Sequence, residues 1–197
     1  MDPTGLFFQA IPTDFWSDFL ERPFESCVSC QCDLPQASAY IIQKQIVRGE
    51  AVLEMAICQR CRHELSESFS EETRERIGRK LAEDVQRSAS TQRSSENSRL
   101  SPGDLLQQFM NRCFLCGRAR ETCNRYSLTG LFRGHEIAVQ YSPPSQSPVM
   151  VCEACEKEYV GLLSQKTRDT WDRFVEEYLG DPPGSEVNSP EDVSVFF

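Results

Sequence analysis

The chain has 197 residues, is 39% apolar and carries a formal net charge of −9. Its length suits one large domain or two small ones, and no apolar run approaches the roughly 18 residues that a membrane span needs. Ten cysteines are too few for a small disulfide scaffold, and the start, MDPTGLFFQAIPTDFW, lacks the basic opening of a secretory signal.

These features predict an intracellular protein, cytoplasmic, or nuclear in a eukaryote. In such a reducing compartment paired cysteines point to metal rather than disulfides. The charge is unevenly placed. Residues 1–20 hold three acids and no base, and residues 181–197 hold four acids and no base, which leaves −2 for everything between. The overall acidity therefore argues little against an anionic partner.

The segment FFQAIPTDFWSDFLERPF carries six aromatics. It predicts a short helix that caps the first core, or else a docking surface for a partner. Cys27 and Cys30 then form a C-x-x-C pair. AYIIQKQIV, Arg48-Gly49 and EAVLEMAIC read as a β-hairpin, with Gly supplying the turn. A second pair, Cys58 and Cys61, opens a helix with Leu65 and Phe69 at four-residue spacing. Ser70 predicts the N-cap of a following helical segment that carries Ile77, Leu81 and Val85.

SASTQRSSENSRLSPG, Ser88 to Gly103, is polar and reads as a flexible linker. Ser101-Pro102 looks like a helix start. From there the series repeats. Pro102, Asp104 and Phe109 match Pro12, Asp14 and Phe19. Cys113 and Cys116 match Cys27 and Cys30. RYSLTGLF, Arg133-Gly134 and HEIAVQY form a second hairpin, whose outgoing strand the loop SPPSQSP interrupts. Cys152 and Cys155 fall ninety-four positions after Cys58 and Cys61, and at that offset Ser164 falls on Ser70, Thr167-Arg168 on Thr73-Arg74, and Trp171 on Ile77. This ordered set of matches indicates an internal duplication. The expected organisation is a first unit over 1–87, a polar linker over 88–101, a second unit over 102–180 and an acidic, mostly disordered tail over 181–197.

Two C-x-x-C pairs in each unit can complete a tetrahedral shell around one ion. The predicted ligands are Cys27, Cys30, Cys58 and Cys61 in the first unit and Cys113, Cys116, Cys152 and Cys155 in the second, holding two Zn2+. Iron is the rival metal. A rubredoxin-like site, however, would carry knuckles on both pairs, whereas here the later pairs open helices. Knuckle, hairpin and a helix supplying the last two ligands resembles the treble-clef class of zinc fingers and, more broadly, zinc ribbons. The resemblance covers roughly residues 27–85 and 113–178. It implies an α+β fold of two tandem zinc-stabilised units, each a short helix, a zinc knuckle, a β-hairpin and a long helix. A thin core of this size usually needs such a staple.

Several residues carry a plain reading beside a sharper one. Cys32 and Cys123 lack counterparts and read as small core or surface residues, with Cys32 a rival to Cys30 as ligand. His63, two residues after Cys61, could be taken for a ligand, but its counterpart Lys157 cannot serve that role, so no ligation is expected. His135 lies beside a hairpin turn with Glu136 and reads as a surface residue. Arg112, Arg118, Arg120, Arg125 and Arg133 give +4 over residues 111–134. They form a candidate anion or partner site, and the interleaved Phe114, Tyr126 and Phe132 would suit base stacking. Part of that charge would also balance a tetrathiolate ion. A four-sulfur site leaves no position for a catalytic water, so the expected role is non-enzymatic: a protein-interaction or adaptor module with a protein partner. The alternatives are a nucleic-acid-binding regulator using the arginines, and a thiolate–metal redox sensor or electron-transfer protein.

Overall fold

The computed structural model describes residues 6–91, 100–140 and 148–180. The linker expectation over 92–99, the loop 141–147 and the acidic tail lie outside the described residues. Six strands form one antiparallel sheet: β1 Leu6–Ala10, β2 Tyr40–Val47, β3 Glu50–Cys58, β4 Arg125–Arg133, β5 Glu136–Gln140 and β6 Val149–Cys152. Five α-helices are described: α1 Gln59–Ser68, α2 Glu71–Thr91, α3 Pro102–Asn111, α4 Glu153–Val160 and α5 Gln165–Tyr178. The class is α+β, and helix α2 runs on into the stretch read as linker.

Both hairpins form where the β-branched and apolar arms and the Arg-Gly turns place them. Gly49 and Gly134 adopt φ 91° and 58°, a region open to Gly without a Cβ penalty. In the second unit the outgoing strand is split. β5 pairs with Phe132–Arg133 and β6 with Tyr126–Thr129, so both lie on the same side of β4.

The units join across β2 and β4, which pair antiparallel from Tyr40↔Phe132 to Val47↔Arg125. At the middle of that ladder Gln43 faces Thr129. Aligning Tyr40 with Tyr126 also aligns Gln43 with Thr129, so the pair lies on a pseudo-twofold axis relating the two units. The interface is isologous, as in a symmetric dimer, but within one chain. Because β2 and β4 sit between other strands, neither presents a free edge, and Tyr40, Ile42, Leu128 and Phe132 are fully buried on one face of the sheet. Phe132 stacks on Tyr40 at 5.4 Å and meets Phe15 edge-on at 5.2 Å.

The helices cross the axis as well. Tyr159 on α4 donates to Asp84 of α2 at 2.8 Å, and Lys80 of α2 pairs with Glu158 of α4 at 2.8 Å. Long helix α2 of the first unit thus packs on the ligand helix of the second. At the axis the two helix starts exchange caps. The Ser70 N–H donates to Thr167 Oγ1 at 3.1 Å, and the Ser164 N–H donates to Thr73 Oγ1 at 2.9 Å. Ser70 and Ser164 also cap their own helices, accepting from the Thr73 and Thr167 N–H groups at 3.1 and 3.3 Å.

The leading segments of the units differ. In the second, Ser101 accepts from the Asp104 N–H at 3.2 Å and α3 runs for ten residues. In the first, the expected short helix is a single 3-10 turn, Thr13–Phe15. Its N-terminal neighbour Pro12 has no capping side chain. The Trp16 carbonyl is taken by Lys44 Nζ at 2.6 Å, and Ser17 bridges to Arg22, so the helix cannot continue. Phe15 and Leu105 still occupy equivalent anchoring places at 0% exposure, whereas Phe19 is 83% exposed and Phe109 buried. The segment also does not cap the first core alone. β1 crosses to the second unit and pairs with β5, Leu6↔Gln140 to Ala10↔Glu136.

Candidate metal centres

Each tetrad is built from two local devices. Cys27 and Cys30 lie on a tight knuckle closed by the Gln31 N–H to the Cys27 carbonyl at 2.9 Å and the Cys27 N–H to the Cys32 carbonyl at 2.9 Å. The second knuckle repeats both bonds, Gly117 to Cys113 and Cys113 to Arg118, each at 2.8 Å. The residue after the second cysteine is left-handed in both: Gln31 at φ 59° and Gly117 at φ 74°. The knuckles are tied to the hairpins by equivalent bonds, Val28 N–H to Ala56 and Phe114 N–H to Met150, both 2.8 Å.

The other two sulfurs come from the junction of strand and helix. Cys58 ends β3 and is the N-cap of α1, while Cys152 ends β6 and is the N-cap of α4. A helix N-terminus favours thiolate over thiol. The Cys58 N–H points at Cys27 Sγ and the Cys152 N–H at Cys113 Sγ, both at 3.4 Å. Such donors orient ligands and share their charge.

The eight predicted ligands fall into the two predicted groups. Within each group all four sulfurs lie within 4.8 Å of one another. Cys30 and Cys58 Sγ are 3.8 Å apart, and Cys116 and Cys152 Sγ are 3.6 Å apart. A tetrahedron with zinc–sulfur bonds of about 2.3 Å has an edge of about 3.8 Å. All ten cysteines are free thiols. The donor set, spacing and closure therefore suit one tetrahedral ion in each unit.

The electrostatics lead to the same reading. The Cys32 N–H holds the Cys30 thiol down to about 6, whereas burial pushes Cys61 up to about 12 and Cys113 up to about 11. Burial also raises Cys155 strongly. Four crowded sulfurs cannot all shed protons alone. A divalent cation removes the conflict by neutralising them.

The arginines are spread over different tasks. Arg120 donates to Tyr126 Oη at 2.8 Å and to Asp14 at 2.7 Å, clamping the leading segment to the second unit. Arg125 lies 4.0 Å from the buried Glu156, whose carboxyl burial pushes up to about 7. Arg133 donates to the Ser38 carbonyl at 3.3 Å and lies over the Phe8 ring. Arg112 spans its knuckle to the Gly117 carbonyl at 3.3 Å, and Arg118 is exposed beside it. Phe114, Tyr126 and Phe132 are 9%, 7% and 0% exposed. Their spacing suggested bases could stack on them, but the core uses their faces. His63 and His135 are both exposed and outside the tetrads.

Two groups of functional interest were not singled out from sequence. Thr73 and Thr167 matched in the repeat but gave no sign of reaching across the axis. Asp84 sits in a polar-looking helix, yet it is 2% exposed and gathers Lys80, Arg87 and Tyr159.

Fold and sites together define an α+β protein with two pseudosymmetric tetracysteine groups, each of which could hold a metal ion. No known protein family, curated protein or solved structure matches the chain. Among the described residues no helix is long and apolar enough to cross a membrane.

Proposed function

We propose that the chain is a non-enzymatic protein-interaction or adaptor module of the treble-clef class, held together by two structural Zn2+ ions. The observation that carries this reading is closure: four sulfurs at tetrahedral spacing surround each centre. Such a shell has no open position for substrate or activated water. Placement of the ligands, one pair on a knuckle and one at a helix start, supports the treble-clef reading.

The nucleic-acid alternative retains Arg112 and Arg118, which flank the exposed Cys116 at the second knuckle. With the aromatics buried, contact would be to phosphate alone. Two such arginines give a salt slope of only about −2 in log K against log salt. The electron-transfer form of the redox alternative requires iron in place of zinc and hence a coloured protein, whereas a thiolate redox sensor would form disulfides and release its metal on oxidation. The deciding experiment captures partners of the metal-loaded chain from lysate, with and without nuclease, beside a Cys58→Ser/Cys152→Ser control. Protein partners that survive nuclease and are lost with the control support the module. Retention that vanishes with nuclease supports the alternative.

A further inference from the structure

We propose that the turn at Phe19 and Leu20 is a docking tip for a protein partner, a preformed aromatic plug that enters an apolar pocket rimmed by Lys or Arg. This rests on reading the chain as an interaction module and names the surface it uses. Phe19 is 83% and Leu20 49% exposed, and among the described residues no large apolar side chain is more exposed than Phe19. Single exposed apolar residues are ordinary, so exposure alone decides nothing. What sets this pair apart is the frame that holds it.

The turn is closed at its base by the Ser17 N–H, which donates to the Arg22 carbonyl at 2.9 Å. Inside it the Leu20 N–H donates to Ser17 Oγ at 3.0 Å, and Glu21 takes a left-handed φ of 53° to bring the chain round. Two sheet residues grip that base. Glu54 of β3 accepts from Ser17 Oγ at 2.5 Å with one carboxylate oxygen and from the Asp18 N–H at 2.9 Å with the other. Lys44 of β2 donates to the Trp16 carbonyl at 2.6 Å and to the Asp18 carboxylate, and lies 3.5 Å from Glu54. Desolvating such charges is costly, yet Phe19 gains no burial from it. The second unit builds the shared fold without the cluster. Gly130 stands in the place of Lys44, the leading segment is the helix α3, and Phe109, the match of Phe19, is buried. What the ions add is the turn itself. A tip fixed before contact loses little freedom on binding, and a buried aromatic is the commonest kind of anchor at an interface.

The charge around the tip selects the partner. Lys44 meets two carboxylates, Asp18 and Glu54, so the cluster keeps one negative charge. Glu21 is exposed beside Phe19 and Leu20, and Arg22 is paired with Glu25 at 3.2 Å. A pocket rimmed by basic side chains complements that border. The anionic surface of a bilayer repels it, as does the phosphate of a nucleic acid.

The test puts a photo-reactive benzophenone at the tip, Phe19→p-benzoylphenylalanine, in the full metal-loaded chain. The chain is irradiated in native lysate and the joined peptides are read by mass spectrometry. The expected product is a cross-link to a protein segment in which apolar residues stand beside Lys or Arg. Excess wild-type chain should suppress it several-fold, excess Phe19→Asp chain should not, and added salt should weaken it. Phe19→Asp should keep the wild-type metal content and unfolding midpoint, because the side chain it replaces is exposed. Equal competition by wild type and Phe19→Asp would overturn the proposal. So would a lowered midpoint in that variant, or Phe19-dependent sedimentation with phosphatidylcholine–phosphatidylserine vesicles. Partners captured equally by wild type and Phe19→Asp would remove the docking tip and leave the interaction module standing, whereas no partner for either chain would remove both.

Discussion

At the scale of single residues the duplication works as an internal control. Gln31 and Gly117 occupy one place in two knuckles, and both are left-handed. A side chain there costs about 1–2 kcal/mol, offset in part by the extra chain entropy that Gly loses, about 0.5–1 kcal/mol. Gln31 recovers something through its amide, which donates to the Val28 carbonyl at 3.1 Å, but that bond is exposed. Gln31→Gly should therefore stabilise the metal-loaded protein by about 0.5 kcal/mol, and Gly117→Gln should destabilise it by about 1 kcal/mol. Denaturant midpoints would read both. A second contrast is Lys44 against Gly130, equivalent positions on β2 and β4. Lys44 is buried and satisfied by Trp16, Asp18 and Glu54. At Gly130 a Cβ would lie 2.9 Å from the Phe132 ring and 3.2 Å from Ile137. Gly130→Ala should cost about 1–3 kcal/mol, the usual range for overpacking, measured by the same midpoints.

At the scale of elements, what could be read from sequence depended on whether a signal was local. Apolar, β-branched-rich arms around an Arg-Gly turn specified both hairpins, and cysteine spacing specified both tetrads, because each is a short-range constraint. The seam between β2 and β4 left no such trace, since backbone groups make it and almost any alternating strand can supply them. The path of β1 to β5 was hidden for the same reason. The failed helix at Thr13–Phe15 was also non-local: buried Lys44, some thirty residues away in sequence, takes the Trp16 carbonyl. The cap exchange lies between these cases, because serines at 70 and 164 signal helix starts while the threonines act across the axis. Thr73→Val and Thr167→Val keep shape but each leave a part-buried N–H at the start of the opposite helix without its acceptor. Each should cost about 1–3 kcal/mol. The Thr73 and Thr167 hydroxyls also bond one another at 3.0 Å, so the double variant should cost less than the sum. A double-mutant cycle on thermal or denaturant unfolding would show that coupling; additive losses would mean the two caps act separately.

At the scale of the whole molecule the question is whether two metal centres make two folding units. The sequence, with its polar stretch between repeats, predicts units that could unfold one at a time. The shared ladder argues otherwise. β2 and β4 are the central strands of one sheet, β1 adds to the far unit, and α2 packs on α4. Losing the first centre frees the knuckle and α1. It also removes β2, which pairs with β4 from Arg125 to Phe132, and half of the cap exchange. A structural zinc site is worth about 10–16 kcal/mol apparent, against a net stability of about 5–15 kcal/mol for a typical domain. No single unit has a reserve of that size, and a sheet deprived of β2 would expose Leu128 and Phe132, both at about zero exposure now. Cys58→Ser should therefore bring down both halves together. Hydrogen exchange followed by mass spectrometry should show protection lost across β4 and α5 as well as β2 and α1, in one cooperative step. The same loss should appear when a chelator strips the wild-type chain, and zinc should restore both halves at once. A protease-resistant fragment spanning the second unit in Cys58→Ser would show instead that the seam is a contact between two self-sufficient domains.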